Sequence, residues 1–266
     1  MIPVRRSRSC SRVVLAFALC VAGAASIAAR PIAPGVTYRM RIVSTPPDMP
    51  GMPMSPSVIV GHGSTMGSLS RFDIDSVSGQ MIPMTVGDYM LMLDSGRMVN
   101  INPASRSYTE GNPAMNALPP ELMAQAQFTN VNVTTERLGA GEAMQGFPTE
   151  KFRVTTTYVL SIMQQSLNTM TTAEMWVAQL PGTVTTAFDG TLPKSMSDGA
   201  WKELYDKTNA ARKALGTGTS LKTVTTSQIT GPMSITTTNT VEMLDLKTGD
   251  IDPAVFKIPE GFTKKP

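Results

Sequence analysis

Cysteine is almost missing from this chain of 266 residues, and the two present, Cys10 and Cys20, both fall in its first 20 positions. The remainder therefore has no disulfide, no thiolate nucleophile and no Cys-based zinc site. Histidine occurs once, at His62. One imidazole without thiolates is poor material for a zinc centre. The run Gly61-His62-Gly63-Ser64 sets a serine two residues from that imidazole, but there is no G-x-S-x-G elbow, and the segment reads as a turn with a solvated histidine. Charged residues make up 16% and aromatic ones 6%, against a usual charged share of about 25%. With 41% hydrophobic residues this is a folding composition rather than a disordered one. Beyond the N-terminus no run is apolar enough to cross a membrane.

What is present begins with a leader. Arg5, Arg6, Arg8 and Arg12 form a basic region, Val13 to Ala25 is apolar but shorter than the ~20 residues of a membrane span, and Ser26-Ile27-Ala28 is a small-x-small cleavage site. The pattern is that of a secretory signal peptide over residues 1–28, cut near Ala28, and it predicts a periplasmic or secreted protein. Arg5-Arg6 lacks the hydrophobic residues that follow a twin-arginine pair, and Leu19 before Cys20 is too large for a lipoprotein site. Cleavage takes four arginines with it, so that 19 basic residues face 20 acidic ones and the net charge becomes −1 instead of +3. The electrostatic case for nucleic acid as a partner disappears with them. The mature chain is expected to carry no transmembrane anchor.

Residues 29–266 read as a single β-rich domain. Val36, Tyr38, Met40 and Ile42 alternate with polar residues at the two-residue period of a strand. Pro46 to Pro56 holds five prolines and is a loop. Val58 to Val60 and Ser68 to Val77 are further strands, with Gly61, Gly63 and Gly67 marking a turn or bulge. Gly87 to Asn102 is a hairpin with Tyr89, Leu91 and Leu93 on one face and Met90 and Met92 on the other, followed by a short strand over 106–110. Residues 113–127 are a linker or short helix. Strands follow at Thr129 to Leu138, Lys151 to Leu160 and Thr172 to Ala178. Phe152, Val154 and Tyr158 share one face, and Met175 and Trp176 point to opposite faces. Asp198 to Leu215 is a helix, capped by Asp198 and stopped by Gly216, with Trp201, Leu204, Tyr205 and Leu215 as its apolar stripe. Leu221 to Thr230 and Ser234 to Leu246 are the last strands, and the tail over 252–262 is rich in turns. The fold class expected is mainly β with one or two helices, a strongly curved antiparallel sheet (a half-barrel) packed on a helix.

Few residues offer chemistry. Asp73 and Asp75 share a strand face without a calcium-loop pattern around them, and read as a solvated face. Asp245, Asp250 and Asp252 cluster near a turn and read the same way. Gly139-Ala-Gly141 opens no helix after a strand, which excludes a dinucleotide loop. Met49, Met52 and Met54 set three thioethers in one Pro-rich loop, a donor set that suits Cu(I). The same spacing is met by chance in a chain with 20 methionines.

From Gly87 onward the chain resembles a family of exported bacterial proteins known as a domain of unknown function. The residues that carry the likeness are Tyr89-Met-Leu-Met-Leu-Asp94 with Met98-Val-Asn-Ile-Asn-Pro103 and Ser107-Tyr108, then Gly146-Phe-Pro-Thr-Glu-Lys-Phe152, Ala173-Glu-Met-Trp-Val177, and the ending Asp252-Pro-Ala-Val-Phe-Lys-Ile-Pro-Glu-Gly-Phe262. The resemblance implies a fold like the periplasmic lipoprotein carriers (LolA-like), a half-open sheet wrapping a helix around an apolar concavity. It implies no catalytic residues and no cofactor.

The leading expectation is a non-enzymatic protein of the cell envelope that binds a lipid, lipoprotein or other apolar ligand in a half-barrel groove. Tyr89, Leu91, Leu93, Phe152, Val154, Tyr158 and Met175 are the candidate lining, with Trp176 on the reverse face. A structural or protein-interaction envelope domain, and Cu(I) binding through Met49, Met52 and Met54, stand beside it as alternatives.

Overall fold

A computed structural model of the chain describes residues 33–47, 54–79, 84–93, 96–111, 125–162, 165–180, 197–216, 218–231 and 234–265. By internal contacts the chain divides after Arg30, and every described residue belongs to the unit Pro31–Pro266. The leader, both cysteines, Met49, Met52 and most of the 113–127 linker lie outside the described residues.

Among the described residues twelve strands form one sheet: β1 (Ala33–Thr45), β2 (Ser57–Met66), β3 (Leu69–Ser78), β4 (Tyr89–Met92), β5 (Met98–Asn102), β6 (Ser107–Glu110), β7 (Gln127–Ala140), β8 (Thr149–Ile162), β9 (Gln165–Ala178), β10 (Thr219–Thr230), β11 (Ser234–Ile251) and β12 (Thr263–Lys264). Their order is β12-β6-β5-β4-β3-β2-β1-β11-β10-β9-β8-β7. Two antiparallel meanders, β1–β6 and β7–β11, are thus zipped together by β1 against β11, from Ala33 opposite Ile251 to Thr45 opposite Thr238. Among the described residues only β12 joins in parallel, on β6. The sheet is curved and unclosed, and α1 (Lys202–Ala214), entered through a 3-10 turn at Gly199–Trp201, packs on it. The mainly β half-barrel on a helix is therefore the architecture of this chain.

The alternation read in β1 is present: Val36, Tyr38, Met40 and Ile42 are buried and Thr37, Arg39 and Arg41 exposed. The inner-face residues of β1 cluster with Ile59, Phe72, Ile74, Met90 and Met243. On the outer face of the β4–β5 hairpin, Tyr89, Leu91, Val99 and Ile101 pack under Ile258 and Phe262 of the tail. All four residues of β4 are buried as a result, the continuous burial of a strand covered on both sides.

Three local expectations need correction. Of the turn or bulge read at Gly61, Gly63 and Gly67, the bulge is at Val60/Gly61 and the turn at Gly67, where φ is +61°, while Gly61 and Gly63 lie inside β2 and make no turn. The glycines are there because the rings of Phe72 and Tyr38 lie on them, and a Cβ at either position would overlap the ring. His62 is consequently a strand residue on the outer face. Asp198 does not cap the helix: its side chain makes no capping bond, because the 3-10 turn intervenes. The stop at Gly216 is as read, with φ +81° and its N–H bonded to the Lys213 carbonyl.

Candidate functional site

The inner faces of β8 to β11 alternate small and large residues. Val154, Thr156 and Tyr158 on β8 stand in register with Ala173, Thr171 and Thr169 of β9, and Met175 of β9 lies opposite Phe152. Thr223 and Thr225 of β10 continue the rows beside Met175 and Ala173, and Val241 of β11 lies opposite Thr223. Across from this floor α1 presents Leu204, Thr208, Arg212 and Leu215, the three- and four-residue spacing of one helical face. Its two ends are apolar and its middle is not.

That pattern makes the helix a bridge. At one end Leu204 and Trp201 pack with Ala126, Phe128, Val131, Tyr158 and Leu160. Phe128 holds Trp201 at a ring-centre distance of 4.0 Å and Tyr158 at 5.3 Å. At the other end Leu215 packs with Phe152, Met175 and Val177. Between the piers, Thr208 and Arg212 face Thr171, Ala173, Thr223 and Thr225, whose short side chains do not reach across. A cavity of about 280 Å³ remains, lined by these residues together with Val154, Thr156, Tyr158, Met175 and Val241. This is near the lower end of the ~300–1,000 Å³ typical of small-molecule sites, and about twice the ~150 Å³ of an apolar cavity that accepts benzene.

The wall is neutral except for Arg212, whose guanidinium lies 4.0 Å from the Met175 sulfur. Burial pushes the Tyr158 phenol above its ordinary pKa, opposed by a hydrogen bond with the Thr169 side chain, so the ring presents a neutral hydroxyl. The helix is tied to the sheet edge by the Lys207 ammonium, which donates to the Val131 carbonyl at 2.5 Å and pairs with Glu203 at 2.7 Å.

Of the candidate lining residues, Val154, Tyr158 and Met175 meet at this cavity, and Phe152 does not line it but packs beside Met175. Tyr89, Leu91 and Leu93 do not reach it. They belong to the cluster under the tail at the far side of the sheet, because the odd residues of β4 point outward. Trp176 is on the outer face between the ammonium groups of Lys151 and Lys222, 4.5 and 5.0 Å from its ring. Sequence reasoning passed over Thr156, Thr171, Thr208, Arg212, Thr223, Thr225 and Val241. The signal for the threonines was the two-residue step from Val154 through Thr156 to Tyr158, which places a polar residue on the inner face.

A second cluster lies on the outer face of β2–β4. His62 Nδ1 is 2.8 Å from an Asp75 carboxylate oxygen. Asp73 is not a solvated carboxylate: it accepts two hydrogen bonds from Arg71, at 2.6 and 2.7 Å. Arg71 also donates to the Val255 carbonyl at 3.1 Å and stacks 4.0 Å over the Tyr89 ring. The bond to Asp73 raises the Arg71 pKa, and burial raises that of Tyr89. The arrangement pins the tail to the sheet. Asp252 accepts from the Ala254 N–H, capping a short turn there, and Asp245 pairs with Arg39 at 3.6 Å. Among the described residues no three His, Cys, Asp or Glu side chains are placed to hold a metal ion. Met54, the described member of the thioether set, is 37% exposed and in no strand. Among the described residues no helix is long and apolar enough to cross a membrane.

The chain matches no protein-family model, and no curated protein or solved structure is significantly similar to it.

Proposed function

We propose that this is an exported, non-enzymatic cell-envelope protein that holds an apolar ligand, such as the acyl chain of a lipid, between α1 and the inner face of β8–β11. The observation that carries the reading is the cavity of about 280 Å³ between the sheet and a helix whose apolar packing lies at its two ends. The apolar residues Val154, Ala173, Met175 and Val241 supply the contact area, and the unbranched Met175 adapts to chains of different shape. The half-barrel on a helix agrees with the resemblance to the periplasmic lipoprotein carriers, and the basic, apolar and small-residue zones of residues 1–28 support export.

Calorimetric titration of the purified protein with decanoate tests the reading. One molecule is expected to bind per chain, and Ala173→Phe, which fills the floor of the cavity, is expected to weaken it at least about tenfold by removing the space. Absence of saturable binding, or equal binding by the variant, contradicts it. Export is tested separately, by N-terminal sequencing of the secreted product, which should begin close to Ala29.

A further inference from the structure

The cavity under α1 differs from one end to the other. Met175, Thr223 and Val241 are cross-strand partners in one row of its floor, and Val154, Ala173 and Thr225 are partners in the next. Thr156 and Thr171 form a third row, with Tyr158 beyond them. Arg212 stands at the first row, its guanidinium 4.0 Å from the Met175 sulfur. Leu204 and Tyr158 lie at the opposite end, in the cluster with Phe128. From Leu204 to Arg212 the helix advances ~12 Å, at 1.5 Å per residue. The site therefore has one charged end and one uncharged end, since the phenol of Tyr158, the other titratable group of the wall, is neutral.

A guanidinium stays charged and carries five N–H donors in a planar fork, more than any one neighbour takes up. Arg212 is half-buried and lines a largely apolar space, where attraction for an anion is screened less than on an open surface. The described lining contains no Asp or Glu. The Thr208 hydroxyl, one turn earlier on the same helix face, and the Thr225 hydroxyl across the gap line the same space and can donate to an oxygen there. Arg212 falls in the last turn of α1, the end of a helix dipole that disfavours anions. Here the carbonyls of Arg212 and Lys213 already accept from the N–H groups of Leu215 and Gly216, at 3.1 Å each, and the guanidinium is the charge that the wall presents. One fork matches one carboxylate in bidentate geometry. A space of about 280 Å³, near the lower limit of small-molecule sites, suits a single chain.

We infer that this site selects a single-chain carboxylate, the anion of a medium-chain fatty acid, with Arg212 gripping the carboxylate and the chain laid over Val154 and Ala173 toward Leu204. The inference rests on the function proposed above and names the class of ligand and the residue that chooses it.

The test is calorimetric titration of the purified protein at neutral pH with decanoate, 1-decanol and decylammonium, equal chains with anionic, neutral and cationic heads. Decanoate is expected to bind at least about tenfold tighter than decanol, and decylammonium more weakly than either. In Arg212→Gln, which keeps hydrogen-bonding capacity and loses the charge, decanoate should fall to the affinity of decanol, while decanol itself changes by less than about twofold. Should that variant fail to fold, decanoate labelled with 13C at the carboxyl carbon reads the same contact on the wild-type protein. Its carboxyl group should titrate at a lower pH when bound than when free, because an adjacent cation favours the charged form. Equal affinity of the wild type for decanoate and decanol overturns the inference while leaving the apolar cavity as proposed. So does an undiminished preference in Arg212→Gln, or a bound carboxyl group that titrates at or above its free value. Failure of all three compounds to bind overturns the cavity reading as well.

Discussion

The two meanders of the sheet solve opposite problems with the same strand geometry. In β1–β6 the inner face is filled by Tyr38, Met40, Phe72 and Met90, each at most 2% exposed, and the tail seals the outer face of the β4–β5 hairpin. In β7–β11 the inner face interleaves Thr and Ala with larger side chains such as Tyr158 and Met175, and a helix spans the gap without filling it. Large complementary side chains make a region that resists change. Short hydroxylated ones, β-branched and at ease in a strand, make a region that holds its shape while leaving room. Stability is concentrated in the first meander and available surface in the second.

Truncation should expose this contrast most strongly. Phe72→Ala is expected to cost ~3–5 kcal/mol in denaturant unfolding, the range for a buried aromatic, whereas Thr171→Ala on the cavity floor should cost under ~1 kcal/mol because it leaves no new dry void. Comparable losses at the two sites would break the comparison. Next in size is Gly63→Ala. The added methyl meets the Tyr38 ring, and overpacking of this kind costs ~1–3 kcal/mol. Unchanged stability would show that Tyr38 can move aside and that the first meander is looser than its burial implies.

A smaller effect belongs to the charged border of the second meander. Lys151 first and then Arg153, both hydrogen-bonded to Glu174, hold its pKa below the ordinary glutamate value. Its contribution is therefore complete above the unfolded value of about 4.3 and disappears as pH falls through the lowered folded one. Glu174→Gln should lower stability at neutral pH by under ~1 kcal/mol, the range of part-exposed pairs, and should flatten the acid limb of the stability profile. A parallel acid limb in the variant would remove Glu174 from the account. The smallest change is expected of Ala173→Leu, which adds volume where space exists and should shift stability by less than ~1 kcal/mol in either direction.

The division between the two meanders also explains what was legible in the sequence. The period of two in β1 and in the hairpin at Tyr89 to Ile101 was readable because one face is oily and the other wet, or both are oily. The inner face of β8 was readable from Phe152, Val154 and Tyr158. The cavity floor was not, since Thr on an inner face looks like Thr on a solvated one until cross-strand partners are known, and register is a property of distant segments. Gly61 and Gly63 were misleading because turn and ring-covered strand use glycine for different reasons, freedom of φ in one and absence of a Cβ in the other. The assignment of Tyr89 and Leu91 to the groove failed because their cover, Ile258 and Phe262, comes from the far end of the chain.

Methionine offers the most direct test, since Met175 lies at the cavity while Met40 and Met90 are packed in the other meander. With methyl-labelled methionine, NMR spectra recorded during titration with decanoate report both regions at once. The account predicts that the Met175 methyl resonance moves and saturates while those of Met40 and Met90 stay in place. Movement at Met40 and Met90, or a Met175 signal that never shifts, would contradict it.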